Sequence, residues 1–128
     1  MSVLAVRFFR HLAKRIVAHE WRPGPYLQNT VKRVTQGCVY GGPFKGMKYI
    51  DRSYCSALMH KLIGVYELEI QPQVERACHA AIDGIIDIGA AEGYYAAGFA
   101  LRCPSTPVVA FELDENAREA CELSLIHI

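Results

Sequence analysis

Two acids and a cluster of small residues in this chain have the spacing of a nucleoside site. The apolar run Ile85-Ile86 leads into Asp87 and Ile88, and Gly89, Ala90, Ala91, Glu92 and Gly93 follow before a helical pattern begins at Tyr94. A second apolar run, residues 107–111, ends at Glu112. Glycines without Cβ allow a sharp turn and let a ligand approach the backbone. Free N–H groups at the start of the next helix then face that ligand. An acid at the tip of the second strand stands beside the first turn, where it can accept both hydroxyls of a ribose.

These residues need a strand, a tight turn, a helix and a second parallel strand, the βαβ unit of an α/β fold. The β-branched run at 85–88 predicts a strand covered on both faces. A helix is predicted over residues 94–102, where Ala96, Ala97 and Gly98 permit close packing and Cys103-Pro104 stops the chain. Asp114 predicts an N-cap for a last helix, with Glu115 in its first turn. The alternative is a βαβ unit without a ligand, with Asp87 a turn residue and Glu112 a solvated acid at a helix start.

Glycine spacing separates the cofactor classes. A dinucleotide fingerprint, G-x-G-x-x-G, would need its third glycine where Tyr94 stands, and that ring blocks the close helix–strand packing the glycine provides. An acid followed by G-x-G-x-G, with Ala91 in place of the middle glycine, resembles motif I of class I S-adenosylmethionine-dependent methyltransferases. The words DIGAAEGYYA and VVAFELD resemble the FkbM-type branch and its bacterial relatives. GGPFKGMKY and KLIGVYELEI resemble the N-terminal region of the same proteins, so the resemblance covers about residues 38–122.

The resemblance implies a Rossmann-like class I methyltransferase fold and S-adenosylmethionine as cofactor. The cofactor-binding set is then Asp87, Gly89, Ala90, Ala91, Glu92, Gly93, Tyr94, Glu112 and Leu113. The loop from Asp87 to Gly93 would run under the methionine part, Glu112 would hold the ribose and Leu113 would lie near the adenine. The implied chemistry is methyl transfer to an oxygen of a small molecule or glycan, in the cytoplasm. No catalytic residue follows from the residues present. A nicotinamide-dependent oxidoreductase and a non-enzymatic membrane-associated module are the alternatives.

The composition is that of a folded domain, 52% hydrophobic and 21% charged. The net charge of +1 hides an asymmetry: residues 1–33 carry seven Lys/Arg and one acid, and the remainder carries seven Lys/Arg and twelve acids. Basic character confined to one segment does not suggest a nucleic-acid-binding face. Five cysteines without a C-x-x-C pair read as free thiols in a reducing compartment, and no metal-ligand spacing occurs.

Four stretches follow in order. Residues 1–25 form a basic amphipathic segment, with Leu4, Phe8, Leu12 and Ile16 at helical spacing over 3–22. That helix either packs on the domain or lies on an anionic membrane surface. Pro23-Gly24-Pro25 is expected to end it. Residues 26–82 are expected to hold a small β-hairpin, with strands at 31–40 and 47–50 around Gly41-Gly42-Pro43, and then helices at 53–62 and 74–82. Ser53 is a candidate cap and Pro72 a first-turn residue. Lys61, Tyr66 and Glu67 precede the cofactor strand; a solvated helix face is the simpler account of them, and cover over the site the sharper one. Residues 83–122 begin the cofactor domain. Residues 123–128 resemble a translated transposase adapter, so the expectation is an N-terminal piece truncated after the second strand–helix unit, with apolar sheet surface left open and no activity by itself.

Overall fold

The computed structural model describes residues 23–53 and 58–126. Among the described residues, three α-helices precede the first strand: α1 (Pro23–Thr35), α2 (Leu58–Ile63) and α3 (Gln71–His79), with a 3-10 turn at Leu68–Ile70 before α3. Strand β1 (Ile85–Ile88), helix α4 (Tyr94–Arg102), strand β2 (Val108–Phe111) and helix α5 (Glu115–Leu125) complete it. This is an α/β arrangement in which two parallel strands alternate with helices.

The second half forms as its sequence predicts. Ile85 pairs with Val108 and Ile88 with Phe111. Asp114 caps α5, its carboxylate accepting from the Ala117 N–H at 2.8 Å. The cover on the sheet is one-sided, which departs from the two covered faces expected of the β-branched run and leaves open the apolar surface expected of a truncated unit. Ile85, Asp87, Val108 and Ala110 turn toward the helical side, where Ala90, Ala96 and Cys121 form a small cluster. Ile86, Ile88, Val109 and Phe111 turn the other way and are exposed, Ile88 to 83%. Among the described residues only one face of the sheet is covered, and the other is an open apolar surface.

The first half corrects the hairpin. Pro23 and Pro25 open a helix: proline suits a first turn, where its missing N–H would have no partner anyway. Val31, Val34 and Thr35, taken for strand formers, continue that helix, and Val31 packs against the core while Val34 stays exposed. Local β preference is weak and yields to such packing. Gln36 and Gly37, both at positive φ, end α1. What remains of the hairpin is one antiparallel bridge between Cys38 and Lys48, with the Val39 N–H on the Met47 carbonyl at 2.9 Å. Helix α3 ends at His79, short of residue 82, and Ala80 is already extended. The helix expected at 3–22, its two possible settings, its end at Pro23 and residues 54–57 of the helix expected at 53–62 lie outside the described residues.

One aromatic core joins the halves. Val39, Phe44, Met47, Tyr49, Leu58, Leu62 and Val74 pack against Tyr94 and Ala97 of α4. Phe44 meets Tyr94 and Phe99 edge-on, both at 5.4 Å between ring centroids. Gly98 is required there, because a Cβ would stand 2.4 Å from the Phe44 ring. The N-terminal region is thus fastened along the helix that leaves the glycine loop.

Candidate functional site

The loop between β1 and α4 is shaped by three residues at positive φ, namely Gly89 (80°), Ala91 (48°) and Gly93 (85°). For the two glycines this conformation is unstrained; for Ala91 the left-handed region costs about 1–2 kcal/mol. The loop is tied to the sheet end, since the Gly89 and Ala90 N–H groups both donate to the Phe111 carbonyl, at 2.8 and 3.1 Å. No atom of the described residues would lie within 4 Å of a Cβ at Gly89, so the space before it is open.

Glu112 reaches this loop from the end of β2. Its Oε2 accepts from the Ala91 N–H and its Oε1 from the Asp114 N–H, each at 2.8 Å. These backbone donors, Asp114 foremost, hold the carboxyl below the usual carboxylate range, so Glu112 is ionised at neutral pH. Glu112 is partly exposed, and Leu113 beside it is 96% exposed. Asp87 lies behind the loop. Burial raises its pKa, the Ala96 amide opposes the rise and the Glu112 charge adds to it. Its Oδ2 is buried without a hydrogen-bond partner among the described residues.

The expected cofactor-binding residues therefore fall on two sides of the loop. Gly89, Ala91, Glu112 and Leu113 share an open rim, with Asp87 underneath. Ala90, Glu92 and Tyr94 turn inward. Tyr94 is 4% exposed in the aromatic core, where burial pushes its phenol up to about 12, and its OH has no partner among the described residues. Glu92 is fully buried. Its Oε1 accepts from Tyr49 OH at 2.7 Å, from Ser53 Oγ at 2.9 Å and from Lys61 Nζ. Its backbone carbonyl accepts from Ser124 Oγ at 2.6 Å.

Lys61 is itself only 3% exposed, which overturns the solvated-face reading of this residue. Its ammonium stands 4.8 Å from the centre of the Tyr66 ring, with the Tyr49 and Tyr94 rings at 5.9 and 5.7 Å. Desolvation and the adjoining Glu92 charge push the Tyr49 phenol far above its usual range. Nearby, Tyr95 OH donates to Glu67 Oε2 at 2.5 Å, and Glu67 holds a left-handed backbone, φ 46°. Sequence reasoning gave Tyr49 and Ser124 no role at this loop. One signal for Lys61 was present: Leu58, Lys61 and Leu62 share one helix face, so the lysine points where the leucines point.

No family model matches the chain, and neither does any curated protein or solved structure. Among the described residues no group of three His, Cys, Asp or Glu is placed to hold a metal ion, and no helix is long and apolar enough to cross a membrane.

Proposed function

We propose that this chain carries the nucleoside-binding part of a class I S-adenosylmethionine-dependent methyltransferase of FkbM-like type. The observation that carries the reading is the ionised, partly exposed Glu112 carboxylate fixed against the glycine loop through the Ala91 N–H. A ribose lying over the loop would meet two acceptor oxygens already oriented, which lowers the ordering cost of binding. The open space before Gly89 also suits a ligand on this rim. Leu113 offers an apolar contact to a base.

S-adenosylmethionine supplies an activated methyl group on a sulfonium, so transfer depends largely on positioning. In this reading the chain's residues bind and orient. Glu112 accepts the ribose hydroxyls, and Gly89, with nothing before it, allows close approach to the backbone. The methyl acceptor, a hydroxyl of a small molecule or glycan, and any general base belong to residues this site does not supply. The dinucleotide alternative is disfavoured by Tyr94, whose ring is locked in the aromatic core where that fingerprint needs a glycine. A cytoplasmic setting goes with the reading, and the free thiols of Cys38, Cys78, Cys103 and Cys121 suit a reducing compartment.

Calorimetric titration of the full chain with S-adenosylhomocysteine and with NAD tests the proposal. Binding of adenosylhomocysteine alone is the expected outcome. Binding of NAD without adenosylhomocysteine would replace the methyltransferase reading by the oxidoreductase one.

A further inference from the structure

We propose that Lys61 is a positioning residue for the glycine loop, acting through Glu92; its bearing on ligand binding rests on the nucleoside-site reading above. Glu92 lies between two left-handed residues, Ala91 and Gly93. It is gripped at both ends, its side chain by Lys61, Tyr49 and Ser53 and its carbonyl by Ser124. Ala91 would relax to the right-handed region if nothing opposed it, and a strained residue of this kind persists only where its surroundings over-determine it. The grip on Glu92 is that over-determination. It turns the Ala91 N–H outward onto Glu112, so the partly exposed acid takes its orientation from a pair buried on the other side of the loop.

A buried ion pair is a poor device for stability alone. Its desolvation cost is large, and well-packed apolar residues often do as well or better. An acid in a small-residue loop and a lysine in the aromatic box of Tyr49, Tyr66 and Tyr94 specify one loop conformation, where an apolar pair would allow several. Lys61 also belongs to α2, in the N-terminal region, so the pair fixes that region's register against the loop.

The test uses the full chain and three variants: Lys61→Met, Lys61→Met with Glu92→Leu, and Tyr49→Phe. Amide hydrogen exchange at Ala91 reports the loop without any ligand, and calorimetry with S-adenosylhomocysteine reports the site. In Lys61→Met, exchange at Ala91 should rise at least tenfold relative to amides of α5, and affinity should fall at least tenfold. The double variant should recover thermal stability but keep the fast exchange and weak binding. Tyr49→Phe, which keeps the ring and loses one donor, should show a smaller change in the same direction. Wild-type exchange and affinity in the double variant, or unchanged exchange at Ala91 in all three, would overturn the proposal and leave the pair a core contact. If the wild-type chain binds no adenosylhomocysteine, the nucleoside reading fails, and the exchange measurements still decide the role of Lys61.

Discussion

Glu92 and Glu112 touch the same loop from opposite sides and live in different physical worlds. Glu92 has no contact with solvent and receives donors from Tyr49, Ser53 and Lys61, residues far from it in sequence. Glu112 is partly open to water, and its hydrogen bonds among the described residues come from backbone donors, Ala91 and Asp114. One carboxylate is committed to holding the chain. The other has a fixed orientation and acceptor capacity to spare. A small-residue loop can therefore be rigid on its inner side and available on its outer side, and the fold spends its buried charge on the first to prepare the second.

The comparison breaks most visibly on the inner side. Glu92→Leu leaves the Lys61 ammonium buried without its carboxylate, and such a loss costs about 3–5 kcal/mol, to be read as a large fall in thermal midpoint. The two loop glycines sharpen the contrast. A Cβ at Gly93 would stand 2.8 Å from Cys121 Sγ and 3.3 Å from its Cα, besides holding φ at 85°. Gly93→Ala should cost about 1–3 kcal/mol from overpacking, with a backbone term in addition. At Gly89 nothing would be struck, so Gly89→Ala should cost only the left-handed backbone, about 1–2 kcal/mol in chemical denaturation.

Asp87 gives an effect of opposite sign. Its folded pKa is raised, so the ionised form is penalised on folding. The penalty is absent below the unfolded pKa, grows as pH rises from there and is complete above the folded value. Asp87→Asn should therefore stabilise the protein at neutral pH, and the gain should shrink as unfolding is followed down toward pH 4. On the nucleoside-site reading proposed above, a destabilising half-buried acid under the loop would be retained for binding at the expense of stability. Glu112 should show the smallest stability effect. Its pKa is lowered, so its contribution is present above the unfolded pKa and lost as pH falls through the folded value. Because the residue is partly open to solvent and glutamine keeps an acceptor oxygen for the loop, Glu112→Gln should leave the melting temperature near that of the parent.

The βαβ half was legible because its signals are local. A β-branched run, three small residues and a capping aspartate each act within a few positions, and α4 begins and ends where Tyr94 and Cys103-Pro104 predict. The N-terminal half was less legible because its decisive contacts are distant. Residues 31–35 carry strand formers, yet the prolines at the first turn and the packing of Val31 make them helix. Nothing local to Glu92 tells which side of the loop it faces; that is decided by Tyr49, Ser53 and Lys61, 43, 39 and 31 positions away. Lys61 was misread as solvated because lysine in a short helix usually is, and only its place on the leucine face hinted otherwise.

The most direct measurement is calorimetric titration of S-adenosylhomocysteine into the full chain and into Glu112→Gln. Binding by the parent with affinity reduced roughly tenfold or more in the variant, at matched thermal stability, is the expected result for a charged acceptor on the ribose. Equal affinity in the two proteins would remove Glu112 from the site, and no binding by the parent would contradict the nucleoside reading of the loop.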